Sequence, residues 1–446
     1  MKVFKYTLLF FASAFAFSCN ERFLDVKPRS TLVVPQTLTD FDQLLNNQNL
    51  IYVSSELLEI QADDFYLDYD YWESLSWAPA VKNTHIWADD SYGGEQNVDN
   101  WNKPYSLIFY ANVVLEGLEK ISVVPSNSTE HSHIKGKALF YRGLALYNLL
   151  QLFAPAYDPT SATSDPGVPI RTSSNVNLIL PRSSVKQCYD QVLSDLIQAE
   201  EYLKPLEEPT KPSKAAAAAL LARVFLNIQD YENAIVYADK CLAMHPQLSD
   251  FNDFTSLPGY HAEILYLALI YPQVIIRASN RNIHVDTLLY GVYEEGDLRK
   301  ELFFQVNSNA TLTRVAGSDF VPDYFAGLAT DEVYLIRAEC LIRTNRTTEG
   351  MRDINWLLKH RYKAGSHRDT IITDQREALE FVLLERRKEL VFRGIRWSDL
   401  RRLNVLNPVI ELKRFAGTVN EYTLPPDGKR WVLPIPENEL AYNNNL

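Results

Sequence analysis

Residues 213–246 constrain the fold more than any other part of this 446-residue chain. Apolar residues recur there at steps of three and four, which predicts one helix from Ser213 to Asn227 and a second from Tyr231 to Met244. Ala222 and Ala234 are small enough for two antiparallel helices to approach closely. Pro246 stops the second helix, because its ring removes a backbone donor and clashes with the preceding turn. A pair of this kind cannot bury all its apolar surface alone and needs similar pairs stacked against it.

With a frame begun at Ala215, the residues Leu221, Ala222, Phe225, Ala234 and Pro246 fall at the leucine, small, aromatic, alanine and proline positions of the tetratricopeptide pattern. Ala218 and Ala238 replace its tryptophan and one of its aromatics. The same helical spacing recurs over 98–121, 134–153, 185–203, 332–343 and 375–392. The pairs 98–121 with 134–153 and 331–344 with 349–360 have similar lengths. The expected fold is therefore mainly α, a tetratricopeptide-like helical-repeat scaffold over 98–250 and 331–402 with few short strands. Segments 62–95 and 255–325 break the rhythm and read as irregular binding-face segments, the second carrying short strands.

The first residues are targeting rather than fold. Lys2 and Lys5 precede an apolar run from Tyr6 to Phe17. Twelve helical residues span about 18 Å, short of a bilayer core of about 30 Å. Ala16-Phe17-Ser18-Cys19 follows, a bacterial lipobox in which cleavage precedes a cysteine that carries lipid. Residues 1–18 are expected to be a signal peptide, Cys19 the lipid attachment site, and 19–446 a single domain held to the membrane by its lipid. Loss of the two lysines takes the net charge from −12 to −14, the wrong sign for a nucleic-acid binder. Cys188, Cys241 and Cys340 lie widely spaced among apolar neighbours and are expected as buried free thiols.

Several motifs in order resemble the SusD/RagB family of outer-membrane nutrient-binding lipoproteins. Phe23-Leu24-Asp25 with Lys27-Pro28 is similar to the family's opening, and Trp101, Tyr105, Ile108 and Ala111-Asn112 to its first long helix. The runs from Lys135 to Arg142, Lys214 to Leu226 and Glu332 to Glu339 follow. The most specific is Glu385-Arg386-Arg387-Lys388-Glu389-Leu390 with Gly394, Arg396-Trp397 and Asp399 to Arg402; Leu433-Pro434-Ile435-Pro436 lies near the end. The chain departs from many members by being shorter between 255 and 325. The resemblance implies a lipid-anchored, cell-surface protein of the outer membrane that binds an oligosaccharide, or in some branches a peptide, and passes it to a TonB-dependent outer-membrane transporter. The alternative readings are a periplasmic helical-repeat scaffold protein and a glycan hydrolase.

Ligand binding is expected on the aromatic stretch 63–92. Tyr69, Tyr71, Trp72, Trp77 and Trp87 offer ring faces to the C–H faces of sugars, and Asp70 and Asn83 offer hydrogen bonds. Trp72 and Trp77 lead, since no helical period assigns them to a core face. No catalytic residue is expected. Asp63-Asp64, Asp89-Asp90 and Glu294-Glu295 are adjacent acids that point apart, whereas a glycosidase needs two carboxyls at a set distance across the sugar. His131 and His133 lack further ligands for a metal, and no HExxH, glycine-rich phosphate loop or GxSxG elbow occurs, so neither metal nor cofactor is expected. Glu389 and Arg393 read as an i,i+4 helix pair, and Trp397 as core.

Overall fold

Four of the longer helices begin where a short polar side chain accepts a bond from an otherwise unpaired backbone N–H. Ser184 does so for α7 (Val185–Tyr202), with Gln187 returning the bond in a capping box. Ser213 caps α8 (Lys214–Asn227), Asp230 caps α9 (Tyr231–Met244), and Asp374 caps α14 (Gln375–Glu389). The computed structural model describes residues 35–47, 52–259, 261–271, 282–307, 312–314, 325–443 and Asn445. Cys19 and the lipobox lie outside the described residues.

The helices stack in chain order. α5 (Asp99–Leu118) packs on α6 (Ser128–Phe153), α6 on α7, α7 on α8 and α8 on α9. α9 then packs on α12 (Thr330–Arg343), which carries α13 (Thr347–Lys359) and α14. α6 is buried around most of its circumference, as befits a helix with neighbours on several sides. Ala215, Leu221, Ala222, Phe225 and Ala234 are all buried, and Phe225 stacks on Tyr237 with ring centres 5.3 Å apart. The expected helical-repeat architecture is present. Cys188, Cys241 and Cys340 are buried free thiols.

Ten short strands form five two-stranded sheets among the described residues. One pairs β2 (Phe65–Leu67) with β5 (Ile283–Val285), placing Tyr66 opposite His284. The two segments expected to break the helical rhythm are thus hydrogen-bonded to each other. The stretch 62–95 is also less irregular than its composition suggests. It holds α3 (Tyr69–Ser74), a 3-10 turn Leu75–Trp77, and α4 (Pro79–His85) started by Pro79. Elements this short do not show a helical period in sequence.

The charged block after residue 384 welds the core. Glu385 and Glu389 receive Arg299 at 2.7 and 3.0 Å, and Glu389 also receives Arg361 at 2.7 Å. Arg386 and Arg402 share Asp399, and Arg402 forks onto Glu339. The expected helical pair of Glu389 and Arg393 does not form, because α14 ends at Glu389. The chain then turns through Phe392 and Gly394, both at positive φ, and Arg393 reaches Asp331 at 2.7 Å. A Cβ on Gly394 would stand 2.7 Å from the Ser54 hydroxyl oxygen, so glycine is needed there for both conformation and space. Trp397 is core, stacked on Trp431 at 4.8 Å.

Candidate functional site

The aromatic stretch divides into a buried layer and an exposed one. Trp72 is buried on α3, donating from Nε1 to the Lys82 carbonyl at 2.9 Å. Its ring lies against those of Tyr69, Phe415 and Tyr422, 5.3–5.9 Å from centre to centre. Trp87 is buried too, at φ 53°, donating to the Gln61 carbonyl at 3.2 Å while the Arg414 guanidinium covers its ring at 4.4 Å. Neither indole has a face free for a ligand. The expectation that Trp72 leads the site is therefore corrected, and Trp87 with it: both rings bind the segment to the core.

Tyr69 and Tyr71 are half-buried against the same core. Asn83 donates its amide to the Asp90 carbonyl at 2.7 Å and so closes the loop after α4. Asp70 is exposed on α3. Trp77 is the ring that faces solvent, 64% exposed, at the end of a 3-10 turn whose Leu75 is fully buried. The turn is anchored below and presents the indole above. Tyr66, 41% exposed, lies against the His284 ring at 5.1 Å, and His284 Nε2 is 3.1 Å from an Asp68 carboxylate oxygen.

The paired acids hold the segment in place. Arg396 forks onto Asp63 at 2.7 and 2.9 Å, and Arg387 donates to Asp64 at 3.0 Å. Burial pushes the Asp63 carboxyl up, but Arg396 and Arg387 outweigh it and hold the group below the ordinary carboxylate range. At Asp64 burial prevails and the shift is upward. Glu294 accepts from the Tyr362 hydroxyl at 3.1 Å, and Asp89 is 3.7 Å from Arg430. His131 and His133 use ring nitrogens on the Leu118 carbonyl and the Lys204 N–H respectively.

Three buried carboxylates, Glu263, Asp331 and Glu389, converge closely enough to hold a cation. Their charge is already met by guanidinium groups, Arg361 bridging Glu263 and Glu389 and Arg393 pairing with Asp331. Sequence patterning missed this cluster because its three carboxylates lie on three distant segments. Glu263 precedes a short strand, Asp331 opens α12 and Glu389 ends α14, so no shared period marks them. Among the described residues no helix is long and apolar enough to cross a membrane.

A family model described as "Starch-binding associating with outer membrane" matches residues 22–226, and one described as "SusD family" matches residues 330–446. Two SusD-like proteins of Formosa agariphila are 24% identical over 395 residues (69% of this chain, 73% of theirs) and 25% identical over 414 residues (78% of each). Among solved structures, a putative sugar binding protein of Bacteroides vulgatus superposes with a TM-score of 0.75 at 20% identity, covering 93% of this chain and 98% of its own. A SusD superfamily protein of Bacteroides thetaiotaomicron gives 0.74 at 23%, covering 92% and 98%. Helical stack, charged weld and both matched segments agree, and this chain belongs to the SusD/RagB family.

Proposed function

We propose that the protein captures a nutrient oligosaccharide at the outer membrane without cleaving it. It is anchored at the cell surface by lipid on Cys19 and passes the ligand to a TonB-dependent outer-membrane transporter. Membership of a family described as starch-binding and outer-membrane-associated is the observation that carries this reading. The exposed Trp77 platform supports it, with Asp70, exposed on the preceding helix α3, as the polar partner. An indole face stacks on the C–H face of a sugar ring, and the carboxylate accepts hydrogen bonds from its hydroxyls. Asp63 and Asp64 are held by Arg396 and Arg387, and Glu294 by the Tyr362 hydroxyl, which favours binding over hydrolysis.

A glycan and peptide array on the soluble protein beginning at Asn20 identifies the ligand. Titration calorimetry then compares Trp77→Ala with the parent. We expect a loss of about 1–3 kcal/mol, roughly 5- to 150-fold in affinity, with an unchanged thermal midpoint because the ring is exposed. Full affinity in Trp77→Ala, or binding of peptides alone, refutes the reading. Extraction of the native lipoprotein in mild detergent tests the rest. A diacylated Cys19 by mass spectrometry and a co-purifying barrel protein are expected, and an unmodified N-terminus or repeated recovery of the protein alone counts against it.

A further inference from the structure

A concave surface that Trp77 does not line lies between α5, the long connection 154–184 and the C-terminal helix α16 (Glu437–Tyr442). It encloses about 640 Å³, within the range of small-ligand sites. The connection between α6 and α7 has no helix or strand of its own, and loops of that length in compact domains usually serve a function. This one is held rigid. Asn112, fully buried, donates its amide to the carbonyls of Arg171 and Ser173 at 3.1 and 3.2 Å. Arg142, itself forked onto Asp195, donates to the Asn112 oxygen at 2.9 Å. Glu116 accepts from the Ser173 hydroxyl and the Ser174 N–H, both at 2.8 Å, and also from the Ser174 hydroxyl. Tyr105 donates to the Pro169 carbonyl at 3.0 Å, and Asn443 ties the opposite wall by donating to the Leu180 carbonyl at 2.7 Å.

All this bonding fixes the backbone and leaves particular side chains uncommitted. Neither the Arg171 guanidinium nor the Glu439 carboxylate has a hydrogen-bond or ion-pair partner among the described residues, although both line the cleft. Both charges reach the buried Tyr105 hydroxyl, with opposite signs. Between them the lining presents a cluster of donors and a cluster of acceptors of cancelling charge. Exposed rings flank them: Tyr110 at 37% and Tyr442 at 83%. A surface built for an anion would lack the carboxylate, and one built for a cation would lack the guanidinium. A neutral polyhydroxylated ligand uses both, since each hydroxyl donates and accepts, while its C–H faces cover aromatic rings.

We propose that this cleft is a second carbohydrate site, separate from Trp77, which takes a neutral oligosaccharide of a few rings between Arg171, Glu439, Tyr110 and Tyr442. The choice of sugar as ligand class rests on the glycan-binding reading above; the cleft and its uncommitted groups do not. Two sites on one chain would hold a polymer at two points and raise its effective local concentration.

The test titrates maltotriose, cellotriose, xylotriose and mannotriose, with trigalacturonate as the acidic control, into the parent, Trp77→Ala, Arg171→Ala, Glu439→Gln and Tyr442→Ala. These substitutions break no bond seen in the fold, and matching thermal midpoints verify that. At least one neutral trisaccharide is expected to bind the parent at two sites. Arg171→Ala and Glu439→Gln should weaken one site by about tenfold or more, and Trp77→Ala the other. If the cleft variants titrate like the parent while Trp77→Ala loses binding, the second site is overturned and the first reading survives. If only the cleft variants lose binding, the second site stands and the Trp77 site falls. Preference for trigalacturonate, displacement of the sugar by an apolar pentapeptide, or no binding of any neutral trisaccharide overturns the inference.

Discussion

Arg361→Met is expected to destabilise the protein by about 3–5 kcal/mol, the usual cost of removing one partner from a buried ion pair. Arg361 is completely buried and spends its donors on three acceptors. Nε bonds Glu389 at 2.7 Å, one terminal nitrogen bonds the Ser249 carbonyl at 3.0 Å, and the other bonds both Glu263 oxygens at 2.9 Å. Methionine fills much of the volume but supplies no donor. Glu389 would keep Arg299, whereas Glu263 would keep only the Ser249 N–H. A stranded carboxylate in that setting takes up a proton or admits water, and either is unfavourable at neutral pH. Urea unfolding at pH 7 measures the loss. The second variant is Arg361→Met with Glu263→Gln, which removes the stranded charge. It should lose less than the sum of its two single variants. Additive losses would mean that Arg361 and Glu263 are not energetically coupled.

That weld shows what sequence could and could not display. The repeat helices were legible because each is long enough for apolar spacing to register, as over Asp99–Leu118 and Lys214–Asn227. The charged residues of the weld read from sequence only as an i,i+4 helix pair, Glu389 with Arg393. Their partners come from residues 263, 299, 331, 339, 361 and 399, and no local pattern links them. Composition can say that so many charges on helices that pack into the core need partners, but not which ones.

The aromatic stretch failed for a related reason. Trp72 sits on a six-residue helix, too short for a period to assign its face, and the rings that bury it belong to Phe415 and Tyr422 near the other end of the chain. Trp87 is turned inward by a positive φ that its residue type does not announce. Trp77 is exposed because it ends a turn anchored by Leu75. The cleft beside α5 was invisible for the opposite reason. Its groups are ordinary loop residues, and only the bonding of the backbone around them shows that Arg171 and Glu439 are left over.

Acid should weaken this protein steeply between about pH 4.5 and 2, and Glu339 supplies a separable share of that loss. Burial alone would raise its pKa, but Arg402, Arg343 and Arg386 outweigh burial and hold it at about 2, against an ordinary value of 4.5. A carboxyl whose pKa is lower in the folded state contributes stability that is fully present above the unfolded value and lost as pH falls through the folded one. The difference corresponds to on the order of 3 kcal/mol at neutral pH. Asp297, Glu332, Glu389 and Asp399 are shifted downward as well and act in the same direction. Asp331 opposes them. Burial pushes it up to about 6, so its contribution falls as pH rises from about 4 towards 6, and mild acid favours the fold before strong acid breaks it. Urea midpoints from pH 8 to pH 2 should therefore pass through a shallow maximum and then drop. Glu339→Gln isolates one carboxylate's share. At pH 7 it loses the charged acceptor of Arg402 and Arg343 and unfolds at lower urea than the parent. As pH approaches 2 the parent's own Glu339 takes up its proton, and the gap between the two closes. A gap that stays constant from pH 7 to pH 2.5 would show that Glu339 is not held ionised by its arginines.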